Sequence, residues 1–115
     1  MKKNPVKKEK PIETSAVYCK KCGTVLFSRA THDYRSCHCG GVAIDGGFDY
    51  CKINFKNEND MVFFCIILPK ELTVKVLYND WNLSKDLYGF YKVGEWPLFI
   101  QEGLLKKTDE DRGIK

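Results

Sequence analysis

The stretch Cys19-Lys20-Lys21-Cys22-Gly23, answered further along by Ser36-Cys37-His38-Cys39-Gly40, places four cysteines within 21 residues. Fourteen residues separate Cys22 from Cys37. A tight loop carrying two cysteines presents both sulfurs on one side. A following glycine, free to take a positive φ, lets the chain reverse so that backbone amides point at sulfur. Gly23 and Gly40 stand at those positions. Two such loops, each ending a hairpin, bring four thiolates into a tetrahedron, the arrangement of a structural zinc site. The spacing therefore predicts one structural Zn2+ held by Cys19, Cys22, Cys37 and Cys39. The second loop has one residue between its cysteines rather than two, a less usual but workable knuckle. Iron fits the same four ligands.

Four cysteines close the coordination shell, whereas a catalytic zinc keeps one position for water. His38 lies between two ligands and is expected to point away from the metal. His32, in Thr31-His32-Asp33-Tyr34, reads as a hydrogen-bonded structural histidine, since adjacent residues seldom face one another as a proton-transfer dyad. Asp45 and Asp49 flank Gly46-Gly47 and read as turn caps rather than as an acid–base pair. Cys51 and Cys65 fall in apolar segments and read as small buried core residues.

With 115 residues the chain is long enough for one domain. A domain of that size buries a modest fraction of its surface and gains from a metal clip. Residues 1–10 hold five lysines against Glu9, so the formal net charge of +4 resides in that segment and the rest of the chain is balanced. That distribution weighs against a nucleic-acid surface built on the fold itself. No apolar run follows the charged N-terminus, and residues 61–68, the longest apolar run, are too few to span a bilayer. The expectation is a cytoplasmic protein, where a reducing environment favours metal ligation over disulfides.

Residues 1–14 read as a flexible lysine-rich tail, 15–107 as a single domain containing the metal site, and 108–115 as a frayed end. The expected fold is small and mostly β: a four-cysteine ribbon continuing into an antiparallel sheet, with about one short C-terminal helix. Residues 49–55 alternate, with Cys51, Ile53 and Phe55 on one face. Residues 57–60 read as a turn. Residues 61–68 are apolar on both faces, the mark of a central strand. Residues 72–78 alternate again, predicting a strand, and Asn79-Asp80 reads as a turn. Ser84 to Tyr91 is ambiguous between helix and strand. Residues 97–107 carry proline at the start and lysines at the end of a prospective helix, which Gly103 weakens.

Residues 17–56 resemble a family of small zinc-ribbon proteins common in bacteriophage genomes and their bacterial hosts. The resemblance rests on the two cysteine elements, Ser28, His32-Asp33-Tyr34, Val42, Asp45-Gly46-Gly47 and Asp49-Tyr50. The family continues with an arginine-rich step, where this chain has Cys51-Lys52-Ile53. The resemblance implies a zinc ribbon, a phage origin and no established enzyme activity.

The C-terminal half carries Tyr78, Trp81, Tyr88, Phe90, Tyr91, Trp96 and Phe99. Tyrosine and tryptophan dominate interface hot spots. The reading is a non-enzymatic module that binds and modulates or inhibits a host protein machine, in transcription or antiviral defence, through Trp81, Tyr88, Tyr91 and Trp96. The alternative is a nucleic-acid binder using the lysine tail with Lys20, Lys21, Arg29 and Arg35 around the knuckles. Residues 17–56 hold six basic and three acidic side chains, a weak field. No nucleophile–base arrangement or phosphate loop is visible, and no membrane partner is expected.

Overall fold

The computed structural model describes residues 12–48 and 51–111. Its strands are β1 (Glu13–Cys19), β2 (Val25–Leu26), β3 (Arg35–Ser36), β4 (Val42–Asp45), β5 (Lys52–Phe55), β6 (Met61–Ile67) and β7 (Phe90–Tyr91), and its helices are α1 (Val74–Asn82) and α2 (Leu98–Asp111). The chain is thus mostly β, in two antiparallel sheets with a C-terminal helix, as the sequence pattern predicts. One sheet has the order β6-β1-β2-β7 and the other β3-β4-β5.

β1 is the strand on which both layers are built. It pairs with β6 along its whole length, from Glu13 opposite Ile67 to Cys19 opposite Met61, and with β2 through Val17 and Tyr18. Because side chains alternate across a strand, β1 feeds two cores. Ala16 joins Val25, Phe27, Phe64, Ile66, Leu68, Leu72, Leu77 and Ile100 on the face covered by the helices. Val17 and Cys19 join Leu26, Cys37, Val42 and Ile44 on the face covered by the second sheet. The strand takes in Glu13 and Thr14, two residues of the stretch read as tail, and Thr14 is buried.

The doubly covered strand is therefore β1 and not residues 61–68. β6 is an edge strand. Phe64, Ile66 and Leu68 point into the helix-side core, while Phe63 and Ile67, on the other face, remain 42% and 49% exposed. α2 packs chiefly on β6 among the strands. It does so at Gly103, where an added Cβ would lie 2.7 Å from the Cys65 carbonyl oxygen and 2.9 Å from Ile66 Cγ2. The glycine that weakens this helix by propensity is what lets it lie against the strand. Gly103→Ala is accordingly expected to destabilise the protein by about 1–3 kcal/mol, as overpacking does, although alanine favours an isolated helix by about 1 kcal/mol. Urea denaturation reads the sign directly: a stabilised variant would mean that α2 does not seat this closely.

Residues 72–78 do not form a strand. Thr73 caps a helix instead, its hydroxyl accepting from the Val76 N–H at 3.1 Å. α1 buries Leu77 and Asp80 and leaves Val74, Val76 and Tyr78 exposed, so the apparent alternation of apolar residues corresponds to no sheet face. Asn79-Asp80 lies within this helix and is no turn. Ser84 and Asp86 take left-handed backbone with φ of 54° and 56°, which breaks any helix over 84–91. That segment instead ends in β7, with Tyr91 opposite Val25 and Phe90 opposite Leu26. Residues 58–60 form a single 3-10 turn capped by Asn57. α2 runs past the expected boundary at 107 to Asp111. Residues 1–11 of the lysine-rich segment and 112–115 of the C-terminal end lie outside the described residues.

Candidate metal centre

Both knuckles use the same local hydrogen bonding. The Cys19 N–H donates to the Thr24 carbonyl at 2.9 Å, and the Cys37 N–H donates to the Val42 carbonyl at 3.0 Å. Gly23 N–H returns to the Cys19 carbonyl at 2.8 Å, and Gly40 N–H to the Cys37 carbonyl at 3.0 Å. Both glycines are left-handed, at φ 77° and 78°, so any L side chain there is strained. The first loop closes four residues on and the second three residues on, which accommodates the shorter Cys37-His38-Cys39 spacing. Gly41 passes close behind: an added Cβ would sit 3.4 Å from Cys39 Sγ.

The four sulfurs of Cys19, Cys22, Cys37 and Cys39 lie within 4.8 Å of one another and could hold a metal ion. Cys39 Sγ is 3.6 Å from Cys19 Sγ and 3.6 Å from Cys37 Sγ, well beyond the 2.03–2.05 Å S–S bond. Cys19 and Cys37 are buried, Cys22 is half-buried and Cys39 is exposed. Donors aim at the sulfurs: Val42 N–H at Cys37 Sγ, 3.4 Å, and the Thr24 hydroxyl beside Cys22 Sγ, 3.1 Å. Burial pushes the Cys19 thiol up to about 12. Burial also opposes ionisation of Cys22, but the Thr24 hydroxyl and the amides of Cys39 and Thr24 bring it down to about 6. His38 is exposed and takes no part in the cluster.

Cys51 and Cys65 are exposed, not buried core. Cys65 points to the uncovered face of β6, and Cys51 precedes β5, an edge strand with only Ile53 half-buried. Cys51→Ala and Cys65→Ala are expected to shift stability by no more than about 0.5 kcal/mol, as surface changes do, with metal content unchanged. Loss of metal from either variant would reassign the ligands.

A second polar constellation, missed by pattern, ties the inter-knuckle loop to α1. Arg29 is 3% exposed, and its Nε and Nη1 reach Asp33 at 2.7 Å and Asp80 at 2.6 Å. Asp33 also accepts from the Arg29 N–H at 2.9 Å. Asp80 further accepts from the amides of Leu87, 2.9 Å, and Tyr88, 3.1 Å, which fixes the left-handed loop after the helix. Burial opposes ionisation of Asp80, yet these amides and the Arg29 guanidinium hold its carboxyl below the usual range. Arg35 donates to the Tyr88 carbonyl and pairs with Asp86 at 3.3 Å, and burial next to Arg29 lowers its pKa. Arg29 and Arg35, expected at a nucleic-acid surface on the alternative reading, thus turn their guanidinium groups inward. Lys20 and Lys21 stay exposed on the first knuckle. The signal for Asp80 was its helical spacing from Leu77, legible only once residues 74–82 are read as a helix.

The aromatic residues divide. Trp96 is half-buried, donates from Nε1 to the Gly23 carbonyl at 3.0 Å and meets Tyr18 edge-on at 5.2 Å, so it pins the first knuckle. Tyr91 is half-buried against Phe27 and Phe99, and burial pushes its phenol up to about 12. Tyr88 is half-buried against the helix-side core. Trp81 lines an open cleft of about 390 Å³, with His32, Phe48, Val74 and Tyr78, while Trp96 also borders a separate open cleft of about 430 Å³ with Gln101, Leu104 and Leu105. The Trp81 ring lies 5.5 Å from Tyr78 and 6.5 Å from His32. His32 is therefore an exposed cleft residue. Asp45 accepts from the Gly46 N–H at 2.9 Å, a turn cap. Asp49 and Tyr50 lie outside the described residues.

Among the described residues no helix is long and apolar enough to cross a membrane. Residues 12–55 are similar to a family described as a domain of unknown function (DUF7695). That span carries β1 to β5 and both knuckles, and it leaves out β6, β7 and both helices. No curated protein and no solved structure matches the chain.

Proposed function

We propose that the chain is a non-enzymatic binding protein, built around one structural zinc ion, that docks on a protein partner through the aromatic cleft of α1. The zinc assignment is supported by size. Four sulfurs about 2.3 Å from a central zinc are about 3.8 Å apart, close to the 3.6 Å separations of Cys39 from Cys19 and Cys37. Four thiolates leave no ligand position for water, which favours a structural over a catalytic role. The phage resemblance of residues 17–56 supports a bacterial host protein as the partner, whose activity the docked chain modulates.

The observation that carries the binding reading is the cleft. Trp81, Tyr78 and His32 line an open cleft on a rigid support, because the Arg29–Asp33–Asp80 pairs hold the loop onto the helix. Rigid aromatic anchors supply contact area at low entropic cost. On the nucleic-acid alternative only Lys20, Lys21 and the N-terminal lysines remain, since Arg29 and Arg35 are engaged internally.

The test is capture of a partner from bacterial lysate with the full chain as bait, followed by titration of variants. Trp81→Ala is expected to keep its circular-dichroism spectrum and to lose about 2 kcal/mol of affinity, roughly thirtyfold. Trp96→Ala is expected to lose fold stability instead. Binding that survives Trp81→Ala but vanishes on deletion of residues 2–10, with steep salt dependence, would overturn the protein-binding reading in favour of nucleic acid.

A further inference from the structure

The four ligand sulfurs are not equivalent, and the difference points to chemistry beyond holding the fold. Cys19 and Cys37 are buried at 0% and 4%, and Cys22 is half-buried. Cys39 alone is exposed, on the loop between β3 and β4, flanked by exposed His38 and Gly40. Two other sulfurs lie 3.6 Å from it. Cys22 Sγ has the Thr24 hydroxyl beside it, and Cys37 Sγ accepts the Val42 amide. Such donors withdraw electron density from sulfur. Among the described residues neither kind of donor reaches Cys39 Sγ. With all four sulfurs held as thiolates, exposure decides which one an oxidant reaches first.

We propose, resting on the zinc reading above, that Cys39 is an oxidation site for hydrogen peroxide and that Cys19 resolves it. The Cys39 thiolate attacks one peroxide oxygen. A sulfur–oxygen bond forms as the O–O bond breaks, and the departing hydroxide takes up a proton to leave as water. The sulfur of Cys19 then attacks the Cys39 sulfenic acid. The S–S bond forms, and the hydroxyl departs with a proton as a second water. Two thiols are oxidised and one peroxide is reduced to water. Cys19 is favoured over Cys37 because it comes from a separate segment, whereas a Cys37–Cys39 bond would close a ring around a single intervening residue. With two of the four sulfurs joined, the cluster no longer has its ligand set. The zinc is then released, and the Cys19–Cys39 bond takes its place as the link between β1 and the β3–β4 loop.

The experiment uses the full chain carrying Cys51→Ala and Cys65→Ala, which removes the exposed free thiols. Zinc is first measured by elemental analysis. The sample is then treated with one equivalent of hydrogen peroxide, while zinc release is followed with a chromogenic chelator and the cysteines are mapped by mass spectrometry. The expected result is that Cys39 is modified about tenfold or more faster than Cys22 or Cys37, that a Cys19–Cys39 disulfide follows, and that zinc is released in step. Less than about half an equivalent of zinc at the outset, in a folded sample, defeats the zinc reading itself. Full zinc with first modification at Cys22 or Cys37, or a dominant disulfide other than Cys19–Cys39, overturns the proposal while leaving the zinc reading intact. Cys39→Ser, if it folds, should lose the disulfide; if it does not fold, the mapping on the parent variant decides alone.

Discussion

Cys22→Ser and Cys37→Ser are expected to abolish metal binding and unfold the protein. The hydrogen bonds from Cys19 to Thr24 and from Cys37 to Val42 shape the two knuckles, and the sulfur cluster joins them at their tips. A structural zinc supplies about 10–16 kcal/mol of apparent binding energy at neutral pH, against the 5–15 kcal/mol of net stability a whole domain possesses. Removing it is therefore decisive for the face built from Val17, Cys19, Leu26, Val42 and Ile44. Binding requires deprotonated sulfur, and burial holds the Cys19 thiol up at about 12 without metal. Metal uptake must release protons, so affinity falls as pH falls. Circular dichroism with and without a chelator reads the loss. A Cys22→Ser protein that remains folded and metal-free would show that the sheets hold without the clip.

The second large effect is expected at Asp80→Ala, a loss of about 3–5 kcal/mol, because it breaks a buried ion pair of Arg29 and strips two loop amides of their acceptor. Arg29 would retain Asp33, but the Leu87 and Tyr88 amides would lose their acceptor as well. The pH dependence has a definite sign. The folded-state pKa of Asp80 is depressed, so its contribution is fully present above the unfolded aspartate value of about 3.9 and is lost as pH falls below it. The stability gap between the wild type and Asp80→Asn should therefore be constant across roughly pH 5–8. A gap that closes between pH 8 and 6 would contradict an ionised Asp80. Chemical denaturation of metal-saturated samples measures it.

What the sequence made legible was local. The knuckles depend on cysteine spacing and on the glycine that directly follows each second cysteine, so each knuckle is a local feature, and Cys19, Cys22, Cys37 and Cys39 came together as the spacing implied. The antiparallel character of the fold was likewise readable from turns and alternation. What failed was long-range. Residues 72–78 alternate like a strand, but the Thr73 cap and the partnership of Asp80 with Arg29, fifty-one residues away, decide for a helix. The apolar run at 61–68 shows hydrophobicity but not which face is covered, and β6 sits at an edge where Phe63 and Ile67 stay exposed. Cys51 and Cys65 were misplaced for that same reason. Among the aromatics, composition alone could not separate Trp96, tied to the Gly23 carbonyl, from Trp81 in the open cleft.

The measurement that bears most directly on the zinc assignment is zinc K-edge X-ray absorption on protein purified without added metal, with elemental analysis of the same sample. One zinc per chain is expected, bound by four sulfurs at about 2.3 Å. A folded sample with less than about half an equivalent of metal, or a first shell containing nitrogen or oxygen in place of a cysteine sulfur, would contradict it.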